Sequence, residues 1–342
     1  MGLQIGDIVP KKEITFEELK GKTLAVDAFN VIYQFISTIR QPDGTPLMDS
    51  KKRITSHLSG LFYRNTNLLL DGIKLIYVFD GKAPELKHGT KEKREEIKDI
   101  AREKYEQAKG EEDIAGMGKY ARQLSHLTKE MIEESKELLS ALGIAVIQAP
   151  SEGEAQASYI CSQGDAYAAA SQDYDCLLFD APRLIQNLTL ARKRKTPSGY
   201  IEIKPMLIEL KETLKELELD KEQLFCLAIL SGTDYNPGGV KGIGPKKALK
   251  LVKEHKTKEK IFAAVENFEK EGKYKVEFDW KEVFEELKNP EVDKKYKIEF
   301  PKFDEKKIKK ILMEHDFSEE RIENQLEKLR EIKESRKQKT LF

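Results

Sequence analysis

The sequence has no apolar run approaching the length needed to cross a bilayer, and its opening residues lack the hydrophobic core of a secretion signal. Met1-Gly2 starts like an N-myristoylation site, but Gly6 stands where Ser or Thr is required. Cysteine is scarce. Cys161, Cys176 and Cys226 are odd in number and lack metal-ligand spacing, which argues against a disulfide framework and for reduced, core-filling thiols. The five histidines, His57, His88, His126, His255 and His315, are too scattered for a zinc centre or a His-based triad. Net charge is missing as well: basic and acidic residues number 60 each, so any surface for a polyanion has to be local. The expectation is a soluble, intracellular (cytoplasmic) protein without membrane contact.

Lys and Glu are abundant. Charged residues make up 35% of the chain and aromatics only 8%, a weak sign of a hot environment. A chain of 342 residues can hold one large α/β domain with a helical appendage.

The most informative run is Pro150-Ser151-Glu152-Gly153-Glu154-Ala155-Gln156-Ala157. It follows Gly143-Ile144-Ala145-Val146-Ile147, a β-branched segment that reads as a buried strand, and Ser151 is a good N-cap for a helix to about Cys161. Ser151-x-x-Glu154 also fits a capping box, which would give Glu154 a plainer job, and Glu152 could simply complement the helix dipole. The balance shifts because the pattern recurs. Strands ending in acids are read at Lys22–Asp27, at Lys74–Asp80 and at Ala166–Asp175, the last with both Asp173 and Asp175. In an open α/β sheet, ligands bind beyond the carboxyl ends of the strands. Six carboxylates gathered there would repel strongly unless some stayed protonated or divalent cations entered, and all-oxygen ligation points to Mg2+ or Mn2+.

Around these strands the sequence predicts helices over Ala28–Ile39, Ser56–Leu70 and about Thr128–Leu142, with a turn at Pro42-Asp43-Gly44. From about Ala83 to Lys136 the chain is dense in Lys, Arg and Glu. That stretch reads either as a solvated helical hairpin or as a mobile cover over the acids. Arg183–Leu188 reads as a further strand, and Arg192-Lys193-Arg194-Lys195 as a basic loop. The helix Lys221–Leu230 stops at Ser231-Gly232-Thr233-Asp234. Gly242-Ile243-Gly244-Pro245-Lys246 then looks like a helix-hairpin-helix whose backbone N–H groups could face a phosphate. Beyond Lys256 the chain is mainly charged helix, irregular over Phe268–Ile298, with Trp280 as a local packing anchor and 330–342 as a disordered tail.

From Met1 to about Arg330 the sequence resembles the flap endonucleases of the structure-specific 5′ nuclease superfamily, in their archaeal form. The residues that carry the likeness are Val26-Asp27-Ala28, Val78-Phe79-Asp80-Gly81, Ala149–Ala155, Ser171-Gln172-Asp173-Tyr174-Asp175 and Gly232-Thr233-Asp234. The resemblance implies a mostly parallel sheet flanked by helices (a PIN-like 5′ nuclease fold) with a helical arch and a helix-hairpin-helix at about 226–255. It divides the chain into an N-terminal nuclease region 1–99, an arch or lid 100–136, an internal nuclease region 137–259, a C-terminal helical region 260–329 and the tail. It implies two Mg2+ sites, with Mn2+ able to substitute: Asp27, Asp80, Glu152 and Glu154 at the first, Asp173, Asp175 and Asp234 at the second. Asp234 was not selected by the strand-end argument. Lys87 and Arg94 would contact the scissile phosphate. Tyr33 would stack on a base, and Arg40, Arg64 and Gly232 would contact DNA. Gly242, Gly244 and Lys246 would grip duplex with a monovalent cation such as K+. The implied activity is removal of 5′ flaps from branched DNA by a monomer, with 5′→3′ exonuclease activity, in lagging-strand maturation and excision repair.

The tail departs from the family pattern. Gln338, Leu341 and Phe342 match the start of a motif for the sliding clamp (proliferating cell nuclear antigen), but the distal aromatic pair is absent, which would impair that contact. Two other classes compete: a PIN-like RNase, set apart by cleavage of single-stranded RNA, and a non-catalytic junction binder or clamp adaptor, which would need no converging acids.

Overall fold

A computed structural model describes residues 3–41, 43–87, 99–108, 127–196, 199–272 and 274–339, together with 110, 111, 113, 116, 119 and 120. Its centre is a sheet of strands β1 (Lys12–Glu13), β2 (Thr23–Asp27), β3 (Lys74–Phe79), β4 (Ala145–Gln148), β5 (Ala168–Ala170), β6 (Arg183–Gln186) and β9 (Met206–Glu209). The spatial order is β1-β9-β6-β5-β2-β3-β4, and every pair from β6 to β4 is parallel, while β9 and β1 add antiparallel edges. The chain runs outward from β2 through β3 to β4, then returns to the other side of β2 as β5. Strand order therefore reverses between β2 and β5, where a ligand crevice is expected.

Both faces of the sheet are covered, so its strands are apolar on both sides with a period of two. Ala25, Ile76 and Val78 face one core, shared with the helices Gly153–Ser162 and Lys221–Ser231. Leu24, Val26, Leu75, Tyr77 and Phe79 face the other, shared with Ala28–Thr38, Ser56–Leu70 and Lys129–Ala141. The three helices on this second face lie within two residues of their expected bounds.

Several elements were not legible. The basic loop is a hairpin, β7 (Lys193–Thr196) paired with β8 (Gly199–Glu202). The stretch expected to be irregular contains the helix Trp280–Lys288, whose Trp280 stacks on Phe262 with centroids 4.2 Å apart. The final helix runs from Glu319 to Lys339, into the segment expected to lack structure. C-terminal helices are tied to the core by polar contacts. The Glu134 carboxylate lies 3.1 Å from His57 Nε2 and 3.0 Å from His315 Nε2, and Asp316 accepts the backbone N–H of Ser50 at 2.6 Å.

Packing is tight where Gly60, inside the helix Ser56–Leu70, meets Phe35 of the neighbouring helix. A Cβ at position 60 would stand 2.2 Å from the Phe35 ring, whose side chain is buried. Gly60→Ala gains about 1 kcal/mol of helix propensity but overpacks this contact, at a cost of about 1–3 kcal/mol. Denaturant unfolding should show net destabilisation, and Phe35→Leu in the same background should relieve part of it. A more stable Gly60→Ala protein would contradict this packing.

Candidate active site

Asp27 ends β2 and caps the next helix, accepting the N–H of Asn30 at 3.2 Å. Asp80 directly follows β3, and its Oδ1 accepts the N–H of Gly153 at 2.6 Å. A Cβ on residue 153 would lie 2.7 Å from that oxygen, so glycine is what lets the helix start against β3. Asp80 thus takes the capping role that the sequence suggested for Ser151. Glu152 is the N-cap residue, without a side-chain cap bond, and Glu154 instead accepts the Ser171 hydroxyl at 2.7 Å. The capping-box reading of Glu154 is therefore not realised.

β5 is shorter than expected, so its two acids lie beyond it. Asp173 accepts from Asn30 Nδ2 at 2.9 Å. Asp175 opens a short helix (Asp175–Leu178) and accepts the backbone N–H of Leu3 at 3.0 Å. Asp234 arrives from elsewhere, past the end of the helix Lys221–Ser231, and its Oδ2 lies 3.7 Å from Lys87 Nζ. Strand reasoning missed it because no strand precedes it; only Gly232-Thr233-Asp234 itself signals it. At Gly232, φ is 102° and a Cβ would meet Gly239 N at 2.7 Å, so the turn closes only around glycine.

These carboxylates sense one another. Burial first, then Asp80 and Asp173, push Asp27 up to about 8. Burial, with Asp234 and Asp173 adding to it, raises Asp175 to about 7, although the Leu3 N–H and Lys87 pull the other way. Glu154 is raised well above the usual carboxylate range by burial and by Asp27, Asp175 and Asp173. Asp80 and Glu152 are also raised by burial, against the opposing pull of the Gly153 N–H on Asp80 and of Lys87 on both. Burial works against the Lys87 ammonium, yet Glu152, Asp234 and Glu154 hold its proton more firmly than usual. Lys87 donates to Glu152 Oε1, and the Tyr235 hydroxyl donates to Glu152 Oε2.

The acids expected from the strand ends and Asp234 thus share one crevice with Lys87. Arg94 lies outside the described residues. Tyr33 stands 42% exposed on the helix Ala28–Thr38, where an aromatic face is open to a partner. Arg40 brackets its loop through the carbonyls of Ser37 (3.2 Å) and Gly44 (2.7 Å). Arg64 is half-buried, its pKa lowered by burial and by neighbouring Arg192. Gly242, Gly244 and Lys246 are exposed at the start of the helix Pro245–His255, away from Lys87 in the chain but on the turn that carries Asp234. Leu341 and Phe342 lie outside the described residues, as does the side chain of Gln338. Asn30, Ser171, Tyr235 and the Leu3 amide were not selected from sequence; each stands beside an acid but carries no pattern of its own.

An all-oxygen, carboxylate-rich donor set beside the Lys87 ammonium fits hard divalent cations. Among the described residues no three of these side chains stand close enough around one point to enclose an ion, because several are turned to protein donors.

Two family models match the chain: the XPG N-terminal domain over residues 4–101 and the XPG I-region over 143–234. The chain is 53% identical over 344 residues to flap endonuclease 1 of Pyrococcus furiosus, covering 100% of this chain and 98% of the relative. It is 52% identical over 338 residues to flap endonuclease 1 of Staphylothermus marinus, covering 96% and 94%. Among solved structures, flap endonuclease-1 from Methanococcus jannaschii superposes with a TM-score of 0.73 at 42% identity, covering 96% of this chain and 98% of the other. The catalytic core of Rad2 in complex with DNA substrate gives 0.71 at 25% identity, covering 96% and 100%.

Carboxyls whose folded pKa is raised favour the fold while protonated, and that contribution fades as pH climbs from about 4 in the unfolded chain toward the folded values of about 7 and 8. In EDTA the melting temperature should therefore fall between pH 5 and pH 8.5 more steeply than in the Asp27→Asn/Asp175→Asn double variant. Added Mg2+ should raise it more at the alkaline end. Parallel pH profiles for the two proteins would remove the proposed repulsion.

Proposed function

Because this chain belongs to the flap endonuclease 1 family, and so is a nuclease hydrolase acting on DNA phosphodiester bonds, we propose that its carboxylate crevice binds two divalent cations and cleaves 5′ flaps from branched DNA. The observation that carries this reading is the set of acids at the β2/β5 reversal, where burial and neighbouring acids raise Asp27, Glu154 and Asp175 and the Lys87 ammonium stands beside Glu152. Asp27, Asp80, Glu152 and Glu154 would hold one Mg2+, and Asp173, Asp175 and Asp234 the other, with Mn2+ able to substitute. When bound, such a pair supplies an activated water and neutralises charge on the non-bridging and leaving oxygens.

The chain's own residues do the remaining work. Glu152 would turn an oxygen from Lys87 to the cation, and the released ammonium would face the transferring phosphate. Lys87 is held by Glu152 and mostly shielded from water before substrate arrives, which is what makes a preset charge effective. Arg94 would join it. Duplex DNA has to fray to reach acids at this depth, at a cost of a few kcal/mol, and stacking on exposed Tyr33 offsets part of it.

Arg40 and Arg64 would hold the branch, and the turn at Gly232 with Gly242, Gly244 and Lys246 would grip downstream duplex with K+. The charged insertion 100–136, part of which (109, 112, 114, 115, 117, 118 and 121–126) lies outside the described residues, would act as a lid over the acids. The same chemistry extends to 5′→3′ exonuclease activity in lagging-strand maturation and excision repair. The protein would act as a monomer, and Gln338, Leu341 and Phe342 would contact the sliding clamp only weakly, since the distal aromatic pair of that motif is absent. Among the described residues no helix is long and apolar enough to cross a membrane.

A labelled 5′-flap substrate should be cut near the junction with Mg2+ and left intact in EDTA, while single-stranded RNA of the same sequence should survive. Lys87→Ala should lower the single-turnover rate by roughly 100-fold or more, with flap affinity nearly unchanged. Equal losses in binding and rate would take Lys87 out of catalysis.

A further inference from the structure

Tyr235 directly follows Asp234 and is 7% exposed, yet nothing in the preceding mechanism requires a tyrosine there. Its ring centroid lies 4.9 Å from Lys87 Nζ, within cation–π range, while its hydroxyl donates to Glu152 Oε2. Lys87 donates to the other oxygen of the same carboxylate. One side chain thus touches both members of the ion pair. The three come from separate segments: Lys87 from the turn after β3, Glu152 from the start of the helix Gly153–Ser162, Tyr235 from beyond the helix Lys221–Ser231.

The turn that carries Tyr235 is rigid. Thr233 Oγ1 accepts the N–H of Tyr235 at 3.1 Å and donates to Asn236 Oδ1 at 2.7 Å. Asn236 Nδ2 in turn donates to the Ile229 carbonyl at 2.7 Å, anchoring the turn to the preceding helix. A tyrosine fixed in this way can hold a long, rotamer-rich lysine and a glutamate in register where neither could hold itself.

We propose that Tyr235 is a positioning residue with two separable duties: its ring aims Lys87, and its hydroxyl fixes Glu152. This rests on the roles given above to those two residues. Glu152 would offer Oε1 to a cation while the Tyr235 hydroxyl holds Oε2 in place. Lys87 meanwhile stays over the ring as its protons turn to the phosphate.

The duties separate in Tyr235→Phe, which keeps the ring, and Tyr235→Leu, which keeps neither. Calorimetric titration of the DNA-free protein with Mn2+ should show roughly tenfold weaker binding in both variants, at unchanged melting temperature. At saturating Mn2+, the single-turnover rate on a 5′-flap substrate should fall by less than about threefold in Tyr235→Phe and by roughly 10- to 100-fold in Tyr235→Leu. In a Lys87→Ala background the extra loss from Tyr235→Leu should vanish.

Wild-type Mn2+ affinity in Tyr235→Phe would overturn the hydroxyl's duty. An undiminished effect of Tyr235→Leu without Lys87 would overturn the ring's. Losses that follow a falling melting temperature in both variants would reduce Tyr235 to a packing residue. If Lys87→Ala alone leaves the rate intact, the preceding reading of Lys87 fails and takes the ring's duty with it, while the Mn2+ titration still decides the hydroxyl's.

Discussion

Negative charge gathered out of water dominates this molecule. Two unit charges 4 Å apart interact by about 4 kcal/mol at the effective dielectric of a protein, and a whole domain is stable by only about 5–15 kcal/mol. A few such pairs, all ionised, would consume that margin. The structure handles the strain with protein donors: Asn30 on Asp173, the Leu3 amide on Asp175, the Gly153 amide on Asp80, Ser171 on Glu154, Lys87 and Tyr235 on Glu152. These bonds hold the acids in place without cancelling their charge. The raised proton affinities of Asp27, Glu154 and Asp175 record what is left over. Among the described residues Lys87 is the cation that stands against these acids, and it does not offset them all.

The fold makes this concentration affordable by confining it to one edge. Parallel strands point their carboxyl ends the same way, and the reversal of strand order at β2 opens a gap between the connections that leave β2 and β5. Apolar cores on both faces keep the sheet rigid while the acids stand beyond it. Asp234 reaches the crevice by a different route, from a glycine-closed turn between helices. The same connection leads on to Gly242, Gly244 and Lys246, which are exposed ahead of and within the helix Pro245–His255.

How much of this could be read from residues alone varies with the origin of each side chain. Asp27 and Asp80 end uninterrupted apolar runs, Leu24–Val26 and Leu75–Phe79, and strand-end reasoning finds them directly. Glu152 and Glu154 share their run with Ser151, a competent helix cap; only the packing of Gly153 against Asp80 shows that the cap comes from another strand. Asp234 has no strand before it, and its motif acquires meaning only through the family likeness. Tyr235, Asn30 and the Leu3 amide could not be found, since their partners lie far away in sequence: Tyr235 meets Glu152, and Leu3 meets Asp175. The hairpin of β7 and β8 was hidden because its strands are short and charged, with no apolar alternation.

The bond from the Leu3 amide to Asp175 makes the Leu3 backbone part of the surroundings of the acid cluster. The segment that carries Leu3 therefore cannot shift without disturbing Asp175, 172 residues further along the chain.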